Sequence, residues 1–236
     1  MLAKTRAIVL RNTNYSESSV ISKMYTREFG MRTYLLQSIK KGKSAIRPSM
    51  IQPLSIVEMD VYEKPTSNLN RVKELKPSPP LLGIQEEIVK KTVAMFMLEI
   101  INQCIIEEQC EIELYDFLEN EILILERETS LSMFPIQFLL RLTPYLGVQP
   151  QGTYSEQTPY FSLNDGVFLS QLGVNVLSDS ISNYLSMLLN EDANTQSTLN
   201  ASQRKEVLNA LVTYFQLHIT KNKQIRSIEI LTELLN

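Results

Sequence analysis

The chain has 236 residues, 44% of them hydrophobic and 21% charged, with 23 Lys+Arg against 26 Asp+Glu and a formal net charge of −3. This is enough chain for one large or two smaller domains with real cores, and the composition excludes an intrinsically disordered protein. No apolar stretch approaches the ~18–20 residues of a membrane span, and the run Ala7–Leu10 is too short for a secretory signal core, so a cytoplasmic location is expected.

The charge is unevenly spread. Residues 1–80 hold 14 Lys+Arg against 6 Asp+Glu, a net of +8, while residues 81–236 hold 9 against 20, a net of −11. A basic first third points to a polyanionic partner, and an acidic remainder to a scaffold that presents it.

In chain order, the first 76 residues read as strands: Lys4–Arg11, then Ser18–Thr26, then Arg32–Ser38 after a Phe29-Gly30 turn. The fourth, Ile56–Tyr62, has the clearest period of two, with Val57, Met59 and Val61 alternating against Glu58, Asp60 and Tyr62, as expected of one buried and one solvated face. Leu69–Leu75 is a shorter fifth. Five short strands in so few residues fit a small closed barrel better than an open sheet, because closure removes exposed edges. The segment Lys76-Pro77-Ser78-Pro79-Pro80 interrupts regular structure and places a domain boundary, giving domains 1–78 and 79–236.

Beyond it the period changes to 3.6. Apolar residues recur at helical spacing from Ile84 to about Glu108, from about Glu111 to Glu126, and from about Pro135 to Leu146. Tyr160–Leu163 and Val167–Leu169 flank Asn164-Asp165-Gly166, which predicts a β-hairpin. Helices resume at about Asp179–Asn190, Ser202–Thr220 and Ser227–Leu235.

Enzyme signatures are missing. There is no Gly-rich phosphate loop and no dinucleotide fingerprint, no Gly-x-Ser-x-Gly elbow, and one histidine, His218, set in an amphipathic helix where a structural role is expected. Cys104 and Cys110 read as reduced thiols, not as a disulfide framework. The carboxylates of residues 107–128 (Glu107, Glu108, Glu111, Glu113, Asp116, Glu119, Glu121, Glu126, Glu128) read as a solvated helix face, since no metal-loop spacing accompanies them. No metal, cofactor or catalytic residue is expected.

The basic residues carry more. The run Lys40-Lys41-Gly42-Lys43-Ser44-Ala45-Ile46-Arg47 lies between the third and fourth strands; Lys23, Arg27 and Arg32 flank the preceding turn, and Arg11, Arg71 and Lys73 add strand positions. Merged on a barrel, they would neutralise phosphates and release counterions. Tyr15, Tyr25 and Tyr34 are candidate stacking platforms for unpaired bases.

The N-terminal order Ile8–Arg11, Tyr15–Ser18, Thr26, Phe29-Gly30, a basic loop and Gln52-Pro53-Leu54 resembles the N-terminal domain of the bacterial recombination mediator family RecO. Downstream, Gln137–Leu142 with Leu146-Gly147 and Pro150, and Lys223–Ser227 before the last helix, are similar to that family's later signatures. The resemblance implies a mixed, two-domain fold: a five-stranded oligonucleotide/oligosaccharide-binding (OB) barrel, then an α-helical domain with a small β-hairpin insertion. It implies DNA repair and recombination in the DNA-damage (SOS) response, binding of single- and double-stranded DNA, and annealing of complementary strands. It also implies work with RecR and single-stranded DNA-binding protein in loading RecA. Many members carry a four-cysteine zinc motif where this chain has residues 151–171 and no cysteine; local packing is expected in its place. An acidic partner tail would need a basic anchor among Arg127, Arg141, Lys221, Lys223 and Arg226, with Arg141 or Arg226 favoured. The competing readings are a protein-interaction adaptor with incidental DNA contact and, weakest, a metal-dependent nuclease.

Overall fold

Five strands within the first 77 residues close into a barrel: β1 (Leu2–Ser16), β2 (Ser19–Thr26), β3 (Gly30–Leu36), β4 (Ile56–Tyr62) and β5 (Asn70–Pro77), in the order β1-β2-β3-β5-β4. The computed structural model describes residues 1–37, 39, 46–64, 66–105, 110–190, 199–220 and 223–234. All strand pairs are antiparallel except β3–β5, which is parallel through Tyr34–Asn70 and Leu35–Arg71. This is the OB arrangement that the resemblance implied.

The barrel forms because the strands alternate. Val57, Met59 and Val61 of β4 are buried and meet Ala7, Val9, Met24, Tyr34 and Leu36 in one core cluster. Each large apolar side chain removed from water there stabilises the fold by about 1.5–3 kcal/mol. β1 is far longer than the sequence pattern indicates because it serves two neighbours. Leu2–Ile8 pair with β4, and Ala7–Ser16 pair with β2. A register shift between Val9 and Arg11 marks the bulge that bends it from one to the other.

Among the described residues there are seven helices: α1 (Leu82–Glu86), α2 (Ile88–Cys104), α3 (Ile112–Arg127), α4 (Phe134–Leu142), α5 (Asp179–Leu189), α6 (Ala201–His218) and α7 (Ser227–Leu234). A two-stranded hairpin, β6 (Tyr160–Ser162) with β7 (Val167–Leu169), lies between α4 and α5 in the chain. The expected first helix, Ile84 to about Glu108, is two helices. Glu87 is extended at the junction and its N–H caps Gly83 O. The spacing of Ile84 and Ile88 hid this break, yet Ile84 is buried and Ile88 is 71% exposed.

The chain divides into two compact units. Met1–Glu87 with Ile105–Arg127 make the first, so α1 and α3 belong with the barrel; Ile88–Cys104 with Glu128–Asn236 make the second. Within the first unit α3 puts Tyr115 against Tyr25 of β2, ring centroids 5.9 Å apart. Its Glu126 accepts the backbone N–H groups of Gly83 and Ile84 at 2.7 and 2.9 Å, which holds the start of α1. Within the second unit α2 packs on α7 and α4, and α6 on α4 and α5. Asn200 and Gln203 start α6 with a reciprocal capping box.

Candidate nucleic-acid interface

The outer face of β1–β2–β3 carries a cationic row. Arg11 lies directly opposite Lys23, and Lys23 opposite Thr33; directly opposed residues share a face. Ser22 and Met24 are buried, so Lys23 points outward. Strict alternation from the buried Val9 would turn Arg11 into the core. The extra residue at Leu10 returns it to the outer face.

A second group sits on β4 and β5. Arg71 is opposite both Tyr62 and Leu35, and Lys73 occupies the register shift between Val72 and Glu74. Arg11, Arg47, Arg71 and Lys73 are all exposed and make no ion pair with any described residue. Two tyrosines present their rings to solvent: Tyr15 before the β1–β2 turn, 64% exposed, and Tyr62 at the end of β4, 48% exposed. OB barrels take oligonucleotides on the face of strands 2 and 3 and between the loops that follow strands 1 and 4, where these groups lie.

The other stacking candidates fail. Tyr25 is buried beneath α3, its hydroxyl donating to Glu111 O at 3.2 Å; burial and the Glu111 charge push its pKa up to about 12. Tyr34 is fully buried and points into the barrel. Its position in β3 shares the inward face with Leu36, so alternation itself made it a core residue.

Arg32 and Arg27 are placed differently, each in an ion pair with a described carboxylate. Arg32 Nε donates to Glu63 Oε1 at 3.1 Å. The same buried carboxylate accepts Asn70 Nδ2 on Oε1 and Tyr34 Oη on Oε2, each at 3.1 Å. Asn70 Oδ1 in turn accepts the Lys64 N–H, so Glu63 and Asn70 clamp both ends of the β4–β5 loop. Arg27 is held by α3: its Nε and Nη2 donate to the two carboxylate oxygens of Asp116 at 2.7 and 2.8 Å. The hydrogen bond from Arg27 holds the Asp116 carboxyl below the usual range. Arg6 pairs with Glu119, three residues on. The acid-rich segment is therefore not simply a solvated face. Asp116 and Glu119 pair with barrel arginines, Glu121 is buried, and Glu126 holds α1. Lys40, Lys41 and Lys43 lie outside the described residues.

The N-terminal half of β1, with the facing parts of β4 and β5, suits a polyanion poorly. A cleft of about 450 Å³ there is lined by Lys4, Arg6 and Lys76 but also by Glu28, Glu58, Asp60 and Glu74. Lys76 is already paired with Glu58 at 2.7 Å. Charge therefore selects the Arg11–Lys23 side.

Sequence reasoning missed Tyr62 on this surface, and it missed the buried Glu63 and the α3 carboxylates that hold barrel arginines. The β4 alternation signalled Tyr62. Nothing local signalled that Glu63 is buried or that α3 docks on the barrel, since both depend on contacts distant in sequence.

The pattern described as "Recombination protein O N terminal" matches residues 1–80, and "Recombination protein O C terminal" matches residues 85–226. The chain belongs to the recombination protein O (RecO) family. Whole-length relatives described as DNA repair protein RecO include that of Flavobacterium psychrophilum, 30% identical with 99% of each chain covered, and that of Azobacteroides pseudotrichonymphae, 32% identical with 98% of each covered. The Phocaeicola vulgatus protein is 30% identical over 99% of both chains.

Several RecO-like motifs of this chain have a structural explanation. Gln52-Pro53-Leu54 leads into β4 with Leu54 at φ 65°, buried, its N–H on Val9 O at 2.7 Å beside the β1 bulge. Asn12 donates its side-chain amide to Ile51 O at the same seam. In the helical unit, residues 151–171 are packed by aromatic and hydroxyl contacts. Phe161 meets Phe168 edge-on at 5.1 Å, Ser155 and Thr158 hydroxyls lie 2.8 Å apart, and Ser162 donates to Asp165 at 2.6 Å. His218 Nε2 lies 2.8 Å from Leu163 O, and its ring packs on Tyr214. Among the described residues no group of three or more His, Cys, Asp and Glu is placed to hold a metal ion, and no helix is long and apolar enough to cross a membrane. Arg141 lies half-buried in the last turn of α4, and Arg226 is exposed just before α7. Cys104 is buried, which raises its pKa to about 12, and Cys110 is exposed.

Proposed function

We propose that this RecO-family chain is a non-enzymatic recombination mediator whose barrel unit binds single- and double-stranded DNA and brings complementary strands together for annealing. With RecR it assists loading of RecA onto DNA coated by single-stranded DNA-binding protein, in the cytoplasm at the nucleoid. The observation that carries the DNA-binding part is the outer face of the barrel, where Arg11 and Lys23 stand opposed and the exposed cations Arg71 and Lys73 lie beside Tyr62. Neutralising phosphates on such a face removes the repulsion between two like-charged strands, which annealing requires. Arg47 and, on their sequence, Lys40, Lys41 and Lys43 extend the track; Tyr15 and Tyr62 offer stacking faces for unpaired bases. Arg141 and Arg226 of the helical unit are proposed anchors for the acidic tail of single-stranded DNA-binding protein.

The test is anisotropy of a labelled single-stranded oligonucleotide with the full chain over a range of salt. The affinity is expected to fall with a log–log slope of about −0.7 per phosphate contact. Arg11→Ala and Arg71→Ala are each expected to flatten that slope by roughly 0.7, and joint replacement of Lys40, Lys41 and Lys43 to flatten it further. Absence of binding at low salt refutes the DNA reading and leaves the adaptor reading. An unchanged slope in the variants moves the interface elsewhere.

A further inference from the structure

The basic surplus of the first 80 residues is cancelled within its own compact unit. The barrel unit, Met1–Glu87 with Ile105–Arg127, holds 15 Lys+Arg against 16 Asp+Glu, because α1, α3 and their flanks bring ten carboxylates and one arginine. Two of those carboxylates act directly on the barrel. Asp116 grips Arg27 through two parallel bonds of 2.7 and 2.8 Å, the same fork on two oxygens by which an arginine holds a phosphate. Glu119, three residues on and so on the same face of α3, pairs with Arg6.

The two pairs differ in exposure. The Glu119 side chain is only 8% exposed, whereas Asp116 and Arg27 are 49% and 35% exposed. Glu119, together with Tyr115 on Tyr25, keeps α3 seated. Glu28 Oε1 lies 3.7 Å from Arg27 Nη1 as a second, longer and single-bonded contact, so Asp116 is the main competitor; its fork is open to solvent and can exchange partners at little expense.

We propose that α3 is an internal anionic competitor for nucleic acid: Asp116 occupies the place of a phosphate on Arg27 in the free protein, and a bound strand gains Arg27 only by displacing it. The inference rests on the reading that the barrel binds DNA. It makes Asp116 a residue that sets affinity without touching DNA. A site whose competent form is only partly populated binds more weakly by that fraction. An exposed ion pair of this kind corresponds to roughly a two- to five-fold loss.

The experiment compares the full chain with Asp116→Asn, Arg27→Ala and the double variant, by anisotropy of a single-stranded oligonucleotide at several salt concentrations. Asp116→Asn is close to isosteric at an exposed site; Asp116→Ala repeats the measurement with a different side chain. Asp116→Asn is expected to tighten binding roughly two- to five-fold and to steepen the salt slope by about 0.7, one added phosphate contact. Both gains should vanish in the double variant. An unchanged or weaker Asp116→Asn overturns the proposal while leaving the DNA reading standing. So does a gain that survives Arg27→Ala, since that is general removal of negative charge. If neither the wild type nor Asp116→Asn binds, the DNA reading and this proposal fall together. If only Asp116→Asn binds, and Arg27→Ala abolishes that binding, the proposal is supported.

Discussion

Removal of the Glu63 side chain should damage the barrel severely. The residue is 5% exposed, and its carboxylate accepts from Arg32, Tyr34 and Asn70. Glu63→Ala leaves the Tyr34 hydroxyl and the Asn70 amide without an acceptor at positions 0% and 2% exposed. Each buried orphan costs about 1–3 kcal/mol. The Arg32 side chain, 31% exposed, is reached by water and adds less. The expected loss is about 3–5 kcal/mol. That is a large share of the ~5–15 kcal/mol by which such proteins are stable. Glu63→Gln keeps one acceptor oxygen and should lose roughly half as much. The assay is urea unfolding followed by far-UV circular dichroism, in which the midpoint should fall with the slope unchanged. Hydrogen exchange at the amides of β3 and β5 assigns the loss to the barrel unit. A double-mutant cycle with Tyr34→Phe should give a coupling of about 1 kcal/mol or more. A Glu63→Ala loss below about 1 kcal/mol, or strict additivity with Tyr34→Phe, would refute the reasoning.

Two further predictions concern the helical unit. Glu99 of α2 caps α7, accepting the N–H groups of Arg226 and Ser227 at 2.9 and 2.8 Å and the Ser227 hydroxyl at 2.5 Å. Burial pushes its pKa up, but these bonds and the nearby Arg226 charge outweigh that and hold it below the usual carboxylate range. A depressed folded-state pKa stabilises the fold above the group's ordinary value of about 4.3, and that contribution is lost as the pH falls through the folded value. Glu99→Gln should therefore cost about 1 kcal/mol at pH 7, with the gap in melting temperature closing in acid; a gap independent of pH contradicts the capping role. Gly166→Ala should cost about 2 kcal/mol or more. Gly166 sits at φ +70°, and an added Cβ would lie 2.6 Å from the Tyr214 hydroxyl. Adding Tyr214→Phe should recover part of that loss in thermal unfolding, and additive losses would show that the clash is not the cause.

Periodicity made the secondary structure legible and tertiary pairing did not follow from it. The β4 alternation placed Val57, Met59 and Val61 in the core and left Tyr62 outside, and the change of period near residue 80 separated strands from helices. The Asn164-Asp165-Gly166 turn was legible because a left-handed residue is needed there and Gly supplies it. Arg11 was placed on a strand, but its outward direction depends on a bulge at Leu10 that no local pattern marks. Tyr25 and Tyr34 looked like surface aromatics because a basic neighbourhood suggested a wet face. One is covered by a helix nearly ninety positions away, and the other faces the barrel interior.

The same limit applies to charge, and there it bears on function. Counted along the chain, a basic third precedes an acidic remainder. Counted by compact unit, the barrel unit holds 15 cations against 16 anions and the helical unit 8 against 10. The difference is α3, which follows the sequence break yet belongs with the barrel. At ~0.15 M salt, charges further apart than about 8 Å are largely screened, so a strand approaching the barrel responds to what lies beside each arginine and not to the sum for the domain. Arg11 and Arg71 are open to it, whereas Arg27 and Arg6 already face carboxylates of α3 and Arg32 faces Glu63. The positions of the anions therefore decide which barrel arginines are available for DNA, and Asp116, exposed and bidentate, is the one placed to yield.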